Sequence, residues 1–530
     1  MRSYSRSSIA LFAFAFVAGT VGLIACSADS SHDGAWDGEG SGGSNNSGNV
    51  SGSSSSGWNG GGSGGGGFQG TGSGAGEPPP PPPPPDGPPD AGADAGQVTC
   101  DELDQTKPVI LYLSADDSNS MASPAHVREL IGLGVSPYPT EVRTYEFLNY
   151  YNVAYPAPEV GKLALFPELD ATAVPGEFDF QIGVRSFDAV KPRRPMTITF
   201  VLDTSGSMGG PGIERERAAV KAIAQSLTEG DIVNMVTWNT SNNIVLDGRV
   251  VTGPNDAQVL AQANALEASG GTDLHSGLVK GYQLAEKHYG STRLNRVILI
   301  SDGGANVGVT SSDLIGLKSQ DADKEGIYLV GIGAGSALSY SDQLMDVVTD
   351  KGRGAYVYLD NLGEATHMFV DRFDEVMEVA ARGVQIELTM PWYFQMHKFY
   401  GEEYSGDPKE IEPQHLAPSD AMIFNQVLKA CSPSIIEPTD TITVRAKWKT
   451  PLAYLDQQTE VTMTVGDLLS AQKAGLPKAK AIVAYAEALK APSKQAFDDA
   501  LALIKAADPA STDAALKEIA SLIAAHPNNK

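Results

Sequence analysis

Apolar positions follow three different rhythms along this chain. Between Met196 and about Ala381, short continuous apolar runs at Ile198–Leu202, Ile232–Trp238, Val297–Ser301 and Ile327–Gly333 are bounded by Gly, Asp and Asn. Helical periodicities fall between them, at Ile213–Leu227, Asp256–Glu267, Leu274–Lys287 and Ser312–Lys324. Alternation of this kind predicts an α/β fold, a doubly wound and mostly parallel sheet with helices on both faces. Ahead of it, short strands (Val109–Leu113, Phe178–Val184) mix with a helical stretch near Val127–Leu133 and the aromatic run Tyr145–Tyr151, read as core. Behind it, strand patterns recur at Val384–Met390, Ala421–Leu428, Asp440–Lys447 and Glu460–Val465. β-rich sequence on both sides predicts that the flanks, 100–195 and 382–465, pair into one β domain with the α/β unit, 196–381, inserted in it. The segment 466–530 is Ala-rich and reads as a helical tail, with Ser493 and Ser511 or Thr512 as N-caps and no evident chemistry.

The first hundred residues change the picture from a folded body to a tethered one. Arg2 and Arg6 precede an apolar segment, Ile9–Ala25, too short and too rich in small residues to favour a spanning helix, so residues 1–25 read as a signal peptide. Residues 26–99 are Gly/Ser-rich and then Pro-rich, with an unbroken run from Pro78 to Pro85. Such composition buries too little apolar surface to offset chain entropy and predicts a disordered tether. Its flexible part spans roughly 40 Å and the proline run adds about 25 Å. The sequence Leu23-Ile24-Ala25-Cys26 resembles the bacterial lipobox. That resemblance implies cleavage before Cys26, a diacylglycerol on its thiol, and attachment to a membrane of the bacterial cell envelope. Ser27 in place of Asp points, by resemblance to Gram-negative sorting, to the outer membrane, periplasmic or surface-exposed. An ordinary secretory signal with a chance Cys is the alternative.

Charge and cysteine usage narrow the partners. The 530 residues carry a formal net charge of −26, which argues against nucleic acid and against an anionic membrane surface as electrostatic targets. Membrane contact is therefore expected through the lipid anchor alone. Beyond Cys26 only Cys100 and Cys431 remain. An oxidising compartment permits a disulfide between them, which would join the two flanks; two buried free thiols are the alternative.

The candidate chemistry lies where the first α/β strand ends. Asp203, Ser205 and Ser207 offer one carboxylate and two hydroxyls at close spacing, hard oxygen ligands suited to a small divalent cation. Spacing alone is weak evidence, since Asp116, Ser118 and Ser120 repeat it after another apolar run, where turn chemistry accounts for it. Context separates the two. Asp203–Ser207 shares its run of alternating strands and helices with Gly270-Gly271-Thr272 just before a helix and Ser301-Asp302-Gly303 at a strand end, whereas no such loops lie between strands from Asp116 to Met196. Strand-end loops of a parallel sheet converge on one edge, where such folds bind ligands.

With those three segments in place, residues 196–381 resemble a von Willebrand factor type A domain, and the segments resemble its metal-ion-dependent adhesion site. The resemblance implies Mg²⁺ (Mn²⁺ or Ca²⁺ being alternatives) held by Asp203, Ser205, Ser207, Thr272 and Asp302, with one position left for a carboxylate of a protein or matrix partner. It also implies a shift of the last helix, about Leu362–Ala381, coupled to the site. The flanking motifs Tyr145–Tyr151, Tyr155–Pro158 and Met422–Leu428 resemble those of a group of exported bacterial proteins with this domain. The expectation is a non-enzymatic, lipid-anchored envelope protein that binds partners through the metal. A scaffold with a purely structural metal is the alternative, and a hydrolase in the β or helical regions a weaker one. No His-x-x-x-His pair suggests zinc, His275 reads as a loop or helix-start residue, and no general base lies near Ser205 or Ser207 in sequence. Gly61–Gly65 matches a nucleophile-elbow pattern without strand–turn–helix context, and Val330–Gly335 reads as close packing rather than a dinucleotide turn.

Overall fold

The computed structural model describes residues 99–116, 119–304 and 326–529. The signal-like segment, Cys26, the tether, Ser118 and the helix expected at Ser312–Lys324 lie outside the described residues. From the amino end, strand β1 (Val109–Ser114) is followed by helices α1 (Ala122–Gly132) and α2 (Thr144–Tyr150) and strands β2 (Leu163–Ala171) and β3 (Glu177–Ser186). The central unit begins with β4 (Met196–Asp203), α3 (Pro211–Ser226), β5 (Ile232–Trp238), β6 (Asn242–Val250), α4 (Ala257–Ala265) and α5 (Leu274–Lys287). It continues with β7 (Leu294–Ser301), β8 (Ile327–Gly333), α6 (Asp342–Gly352), β9 (Arg353–Tyr358) and the short helices α7 (Leu362–Thr366) and α8 (Phe373–Met377). The second flank holds β10 (Ala381–Met390), β11 (Phe394–Phe399), β12 (Glu403–Ser405), β13 (Gln414–Leu416), β14 (Ala421–Ala430), β15 (Thr441–Lys449) and β16 (Asp456–Thr464). Helices α9 (Val465–Ser470), α10 (Leu476–Lys490), α11 (Lys494–Ala507) and α12 (Ala514–Ala525) follow. Among the described residues no helix is long and apolar enough to cross a membrane.

The central sheet runs β6-β5-β4-β7-β8-β9, parallel throughout except for the edge strand β6, which is antiparallel to β5. Every residue of β4, β7 and β8 is buried, which is why these segments read as unbroken apolar runs. Alternate side chains of β4 enter different layers. Ile198, Phe200 and Leu202 pack with Ile213, Val220 and Ile223 of α3, while Val201 packs with Leu278 and Tyr282 of α5. Strand order reverses at β4, whose neighbours β5 and β7 lie on opposite sides, so a crevice opens at the carboxyl ends of β4 and β7. The sequence expectation omitted β6 and β9. β6 is polar and largely solvent-facing, and β9 is short, with Gly354 pressed against the Leu329 carbonyl of β8.

The flanks pair with each other across the insertion. β1 lies antiparallel to β10 within one sheet, and β3 lies antiparallel to β14 within the other. Leu113, Ile386, Leu388 and Val444 of the first sheet share a core with Phe180, Ile182, Val184 and Phe424 of the second. Cys100 and Cys431 form a disulfide, their Cα atoms 5.2 Å apart. In the flanks the sequence expectation also omitted β2, β11, β12 and β13; β2 contains Pro167 and occupies the edge of its sheet, where a missing N–H is tolerated. Tyr155 explains part of the aromatic flank. Its ring stacks on Phe166 at 4.7 Å, and a Cβ on Gly183 would fall 2.2 Å from it. Its hydroxyl donates to Glu168 at 2.7 Å, and Glu168 in turn accepts from Gly475 N and Leu476 N at the start of α10.

Two expectations are corrected. The helix expected over Leu362–Ala381 is broken: α7 gives way to a wider π-type turn at His367–Asp371, then α8, and Ala381 already belongs to β10. Neither Ser511 nor Thr512 caps α12. Ser511 adopts φ 54°, and Asp513 is the cap, accepting from Leu516 N at 3.0 Å, whereas Ser493 does cap α11. The terminal helices are also more than an appendage, since Ile482 and Tyr485 share a core with Phe147 of α2 and with Phe369.

Candidate metal centre

Asp203 is the last residue of β4 and is fully buried at the reversal of strand order. Its Oδ1 accepts from Ser205 N at 2.9 Å, the turn that lets the chain leave the strand, and its Oδ2 accepts from Ser301 Oγ at 2.7 Å. Ser301 ends β7, so one hydrogen bond bridges the two strands that border the crevice. Ser205 Oγ and Ser207 Oγ lie 3.0 Å apart, Ser205 buried and Ser207 exposed at the mouth. The loop carrying Thr272 is drawn in by the bond from Gly206 N to the Gly270 carbonyl, 3.1 Å, and by Ser269 N to the Thr204 carbonyl, 2.8 Å. Gly270 holds φ +80° with Thr240 Oγ1 against it, and that hydroxyl accepts from Gly271 N at 2.7 Å. Thr272 itself is exposed, one residue before Asp273, which caps α5.

Asp302 follows β7 and is nearly buried; its Oδ1 accepts from Gly304 N at 2.9 Å. A Cβ on Gly304 would lie 2.9 Å from Asp302 Oδ1 and 3.7 Å from Ser207 Oγ, so this glycine leaves room between a hydroxyl and a carboxylate of the candidate set. Gly335, at the end of Val330–Gly335, packs against Asp302 so closely that a Cβ would fall 2.6 Å from the Asp302 Cβ, in keeping with the close-packing reading of that motif. The structure thus gathers Asp203, Ser205, Ser207 and Asp302 and ties the Thr272 loop to them.

The electrostatics ask for a cation. Burial pushes the Asp203 carboxyl up from 3.8 to about 6, with the Asp302 charge adding to it, against the opposing hydrogen bonds from Ser205 and Ser301. Glu216 of α3 is also fully buried, and its carboxyl is held well above its ordinary range by burial and then by the Asp203 charge. Neither Glu216 oxygen has a well-formed hydrogen bond among the described residues, and the Asp203 backbone and the Arg217 charge only partly offset the shift. Buried like charges are costly, and a divalent ion among hydroxyl and carboxylate oxygens would relieve them. The residues present therefore fit the implied metal. Among the described residues no group of three or more His, Cys, Asp or Glu is arranged to hold a metal, so such a site depends on its Ser and Thr hydroxyls. The second Asp-x-Ser-x-Ser segment differs: Asp116 Oδ2 accepts from Ser120 N at 2.6 Å and Asn149 Nδ2 at 2.8 Å, as a turn-forming Asp does.

Ser301, Thr240 and Glu216 are site residues that the sequence reading did not assign. Glu216 left a trace, since it interrupts the series Ile213, Val220, Ile223, Leu227 on the apolar face of α3. His275 lies in the first turn of α5.

The family comparison agrees with this architecture. Residues 197–371 match the von Willebrand factor type A domain family. Uncharacterized protein YfbK of Escherichia coli (strain K12) is 28% identical over 289 residues, covering 51% of this chain and 48% of that protein. Inter-alpha-trypsin inhibitor heavy chain H3 of Homo sapiens is 25% identical over 202 residues, covering 37% of this chain and 22% of that one. The chain thus spans about half, or less, of the length of these relatives. A solved von Willebrand factor type A structure from Catenulispora acidiphila aligns with 70% of this chain and 87% of its own, at 15% identity and a TM-score of 0.40. Six strands in the order β6-β5-β4-β7-β8-β9, with the family match across them, identify the central unit of this chain as a von Willebrand factor type A domain.

Proposed function

We propose that this chain is a lipid-anchored protein of the bacterial cell envelope that binds a protein or matrix partner through a divalent cation at the β4–β7 crevice. The observation that carries the reading is the buried, hydrogen-bonded Asp203 beside Asp302, flanked by the Ser205 and Ser207 hydroxyls. Asp203 and Asp302 would supply negative charge directly or through water, and Ser205, Ser207 and Thr272 neutral oxygens. A bound ion would supply a Lewis-acidic position open to a partner carboxylate. Ser301 and Gly304 hold the two carboxylates at fixed angles, so the chain's own contribution is to orient ligands and keep one direction open toward solvent. The lipobox-like Cys26 supports the anchor. Mg²⁺ titration by calorimetry, with wild type and Asp203→Ala, tests the metal. Capture from envelope extract with and without EDTA tests the partner. Capture that survives EDTA, or is equal for Asp203→Ala, overturns the reading.

A further inference from the structure

The loop between β8 and α6 borders the metal centre from the side opposite Thr272. Its Ala334 N donates to the Ser301 carbonyl at 3.0 Å, its Gly335 packs on Asp302, and Ser341 N reaches the Asp302 carbonyl at 3.3 Å. What holds this loop comes partly from outside the domain. The Gly335 carbonyl accepts from Arg215 Nη1 of α3 and lies 2.8 Å from the Tyr358 hydroxyl. Arg215 Nη2 donates to Glu129 Oε1 at 2.8 Å, and the Tyr358 hydroxyl donates to Glu129 Oε2 at 2.5 Å. Glu129 belongs to α1, in the amino-terminal flank, and one helical turn earlier His126 Nε2 lies 3.3 Å from the Ala337 carbonyl of the same loop. Arg215 and Tyr358 are buried, so these contacts are shielded from water and dictate geometry rather than add surface charge.

We infer that Glu129, acting through Arg215 and Tyr358, is a positioning residue that sets the β8–α6 loop against Asp302, making helix α1 of the flank a working part of the metal centre. This rests on the proposed metal reading. Removing the Glu129 charge leaves Arg215 Nη2 without its carboxylate, held by the Asp360 carbonyl alone, and turns the Tyr358 hydroxyl to the Gly335 carbonyl as its remaining acceptor. With its anchor in α1 gone, the Arg215 and Tyr358 pair holds the Gly335 carbonyl less rigidly, and the packing of Gly335 on Asp302 loosens. Residues that orient ligands in this indirect way are typically worth 10- to 100-fold in metal affinity.

The test uses the full chain, with Glu129→Gln and Tyr358→Phe. Glu168→Gln serves as a control that perturbs a flank carboxylate at the start of α10 without touching the loop. Mg²⁺ affinity is measured by calorimetry, and backbone hydrogen exchange over 334–341 is measured without metal. The expected result is roughly ten-fold weaker Mg²⁺ binding and faster loop exchange for Glu129→Gln, a smaller change in the same direction for Tyr358→Phe, and neither change for Glu168→Gln. Wild-type affinity and wild-type loop exchange in Glu129→Gln would overturn the inference even if its melting temperature fell. If the wild type binds no Mg²⁺, the metal reading fails, and the inference fails with it even where the exchange arm shows Glu129 holding the loop.

Discussion

Asp203→Asn should make the metal-free protein more stable and the metal-loaded protein less so. The carboxyl of Asp203 is displaced from 3.8 to about 6 in the folded chain, chiefly by burial. A raised carboxyl pKa means that the folded state binds the proton more tightly. The penalty is therefore absent below pH 3.8 and complete above about pH 6, where it amounts to roughly 3 kcal/mol. Asn removes the charge and keeps an oxygen for Ser205 N, but its amide can no longer accept the Ser301 hydroxyl, a loss of about 1 kcal/mol. The net gain expected at pH 8 in EDTA is about 2 kcal/mol, or on the order of 2 °C for a body of this size. At pH 4.5 the advantage should shrink to less than half. Adding Mg²⁺ at 100 times its Kd stabilises the wild type by about 2.7 kcal/mol and leaves the variant unmoved, so the order of melting temperatures inverts. Scanning calorimetry at two pH values, with EDTA and with Mg²⁺, reads all four states. A variant less stable than wild type in EDTA at pH 8 would refute the electrostatic argument. A variant that still gains stability with Mg²⁺ would refute the placement of the ion.

Three further outcomes follow from the packing. His415 is buried neutral, its pKa lowered to about 3 by burial and by the charges of Arg382, Arg353 and Arg296. A depressed His pKa stabilises fully above 6.5 and is lost as pH falls toward 3, so roughly 2–3 kcal/mol should disappear between pH 7 and pH 4.5, and His415→Gln should flatten that part of a pH-dependent urea titration. Gly183→Ala drives a methyl into the Tyr155 ring and should cost about 1–3 kcal/mol in the urea midpoint; an unchanged midpoint would mean that Tyr155 yields freely. Breaking the bridge between Cys100 and Cys431, separated by 331 residues, should cost up to about 5 kcal/mol by chain entropy, seen as a reductant-dependent melting temperature that the double Ser variant no longer shows.

What the sequence revealed, and what it hid, has a physical pattern. β4, β5, β7 and β8 were legible because strands covered by helices on both faces are apolar over most of their length. Asp203 and Asp302 were legible because polar residues that end such runs can only face the crevice. β6 was hidden by its exposure and β2 by Pro167, since edge strands are released from the rules that make central strands recognisable. The break in the expected last helix was hidden because Leu362–Met377 keeps a helical period while its backbone widens at His367–Asp371, where Ser226 Oγ donates to the Phe369 carbonyl and Arg372 to the carbonyls of Asn149 and Tyr150. Glu129 and Arg215 were hidden for another reason. Their partners are distant in sequence, and a charged residue on a helix reads as solvated until the fold buries it.

The insertion of the central domain sets a timetable for synthesis. Tyr112 of β1 stands beside Glu387 of β10, 275 residues later in the chain. At ordinary rates of translation, that interval lasts roughly 15–55 s. During it β1 and β3 have no partners from the second flank, while the parallel sheet between them can already collapse on its own helices. The flank that supplies Glu129 thus begins synthesis first and completes its sheets last. A nascent chain halted before Met390 would carry the central domain with the strand edges of the first flank still exposed to chaperones or to one another.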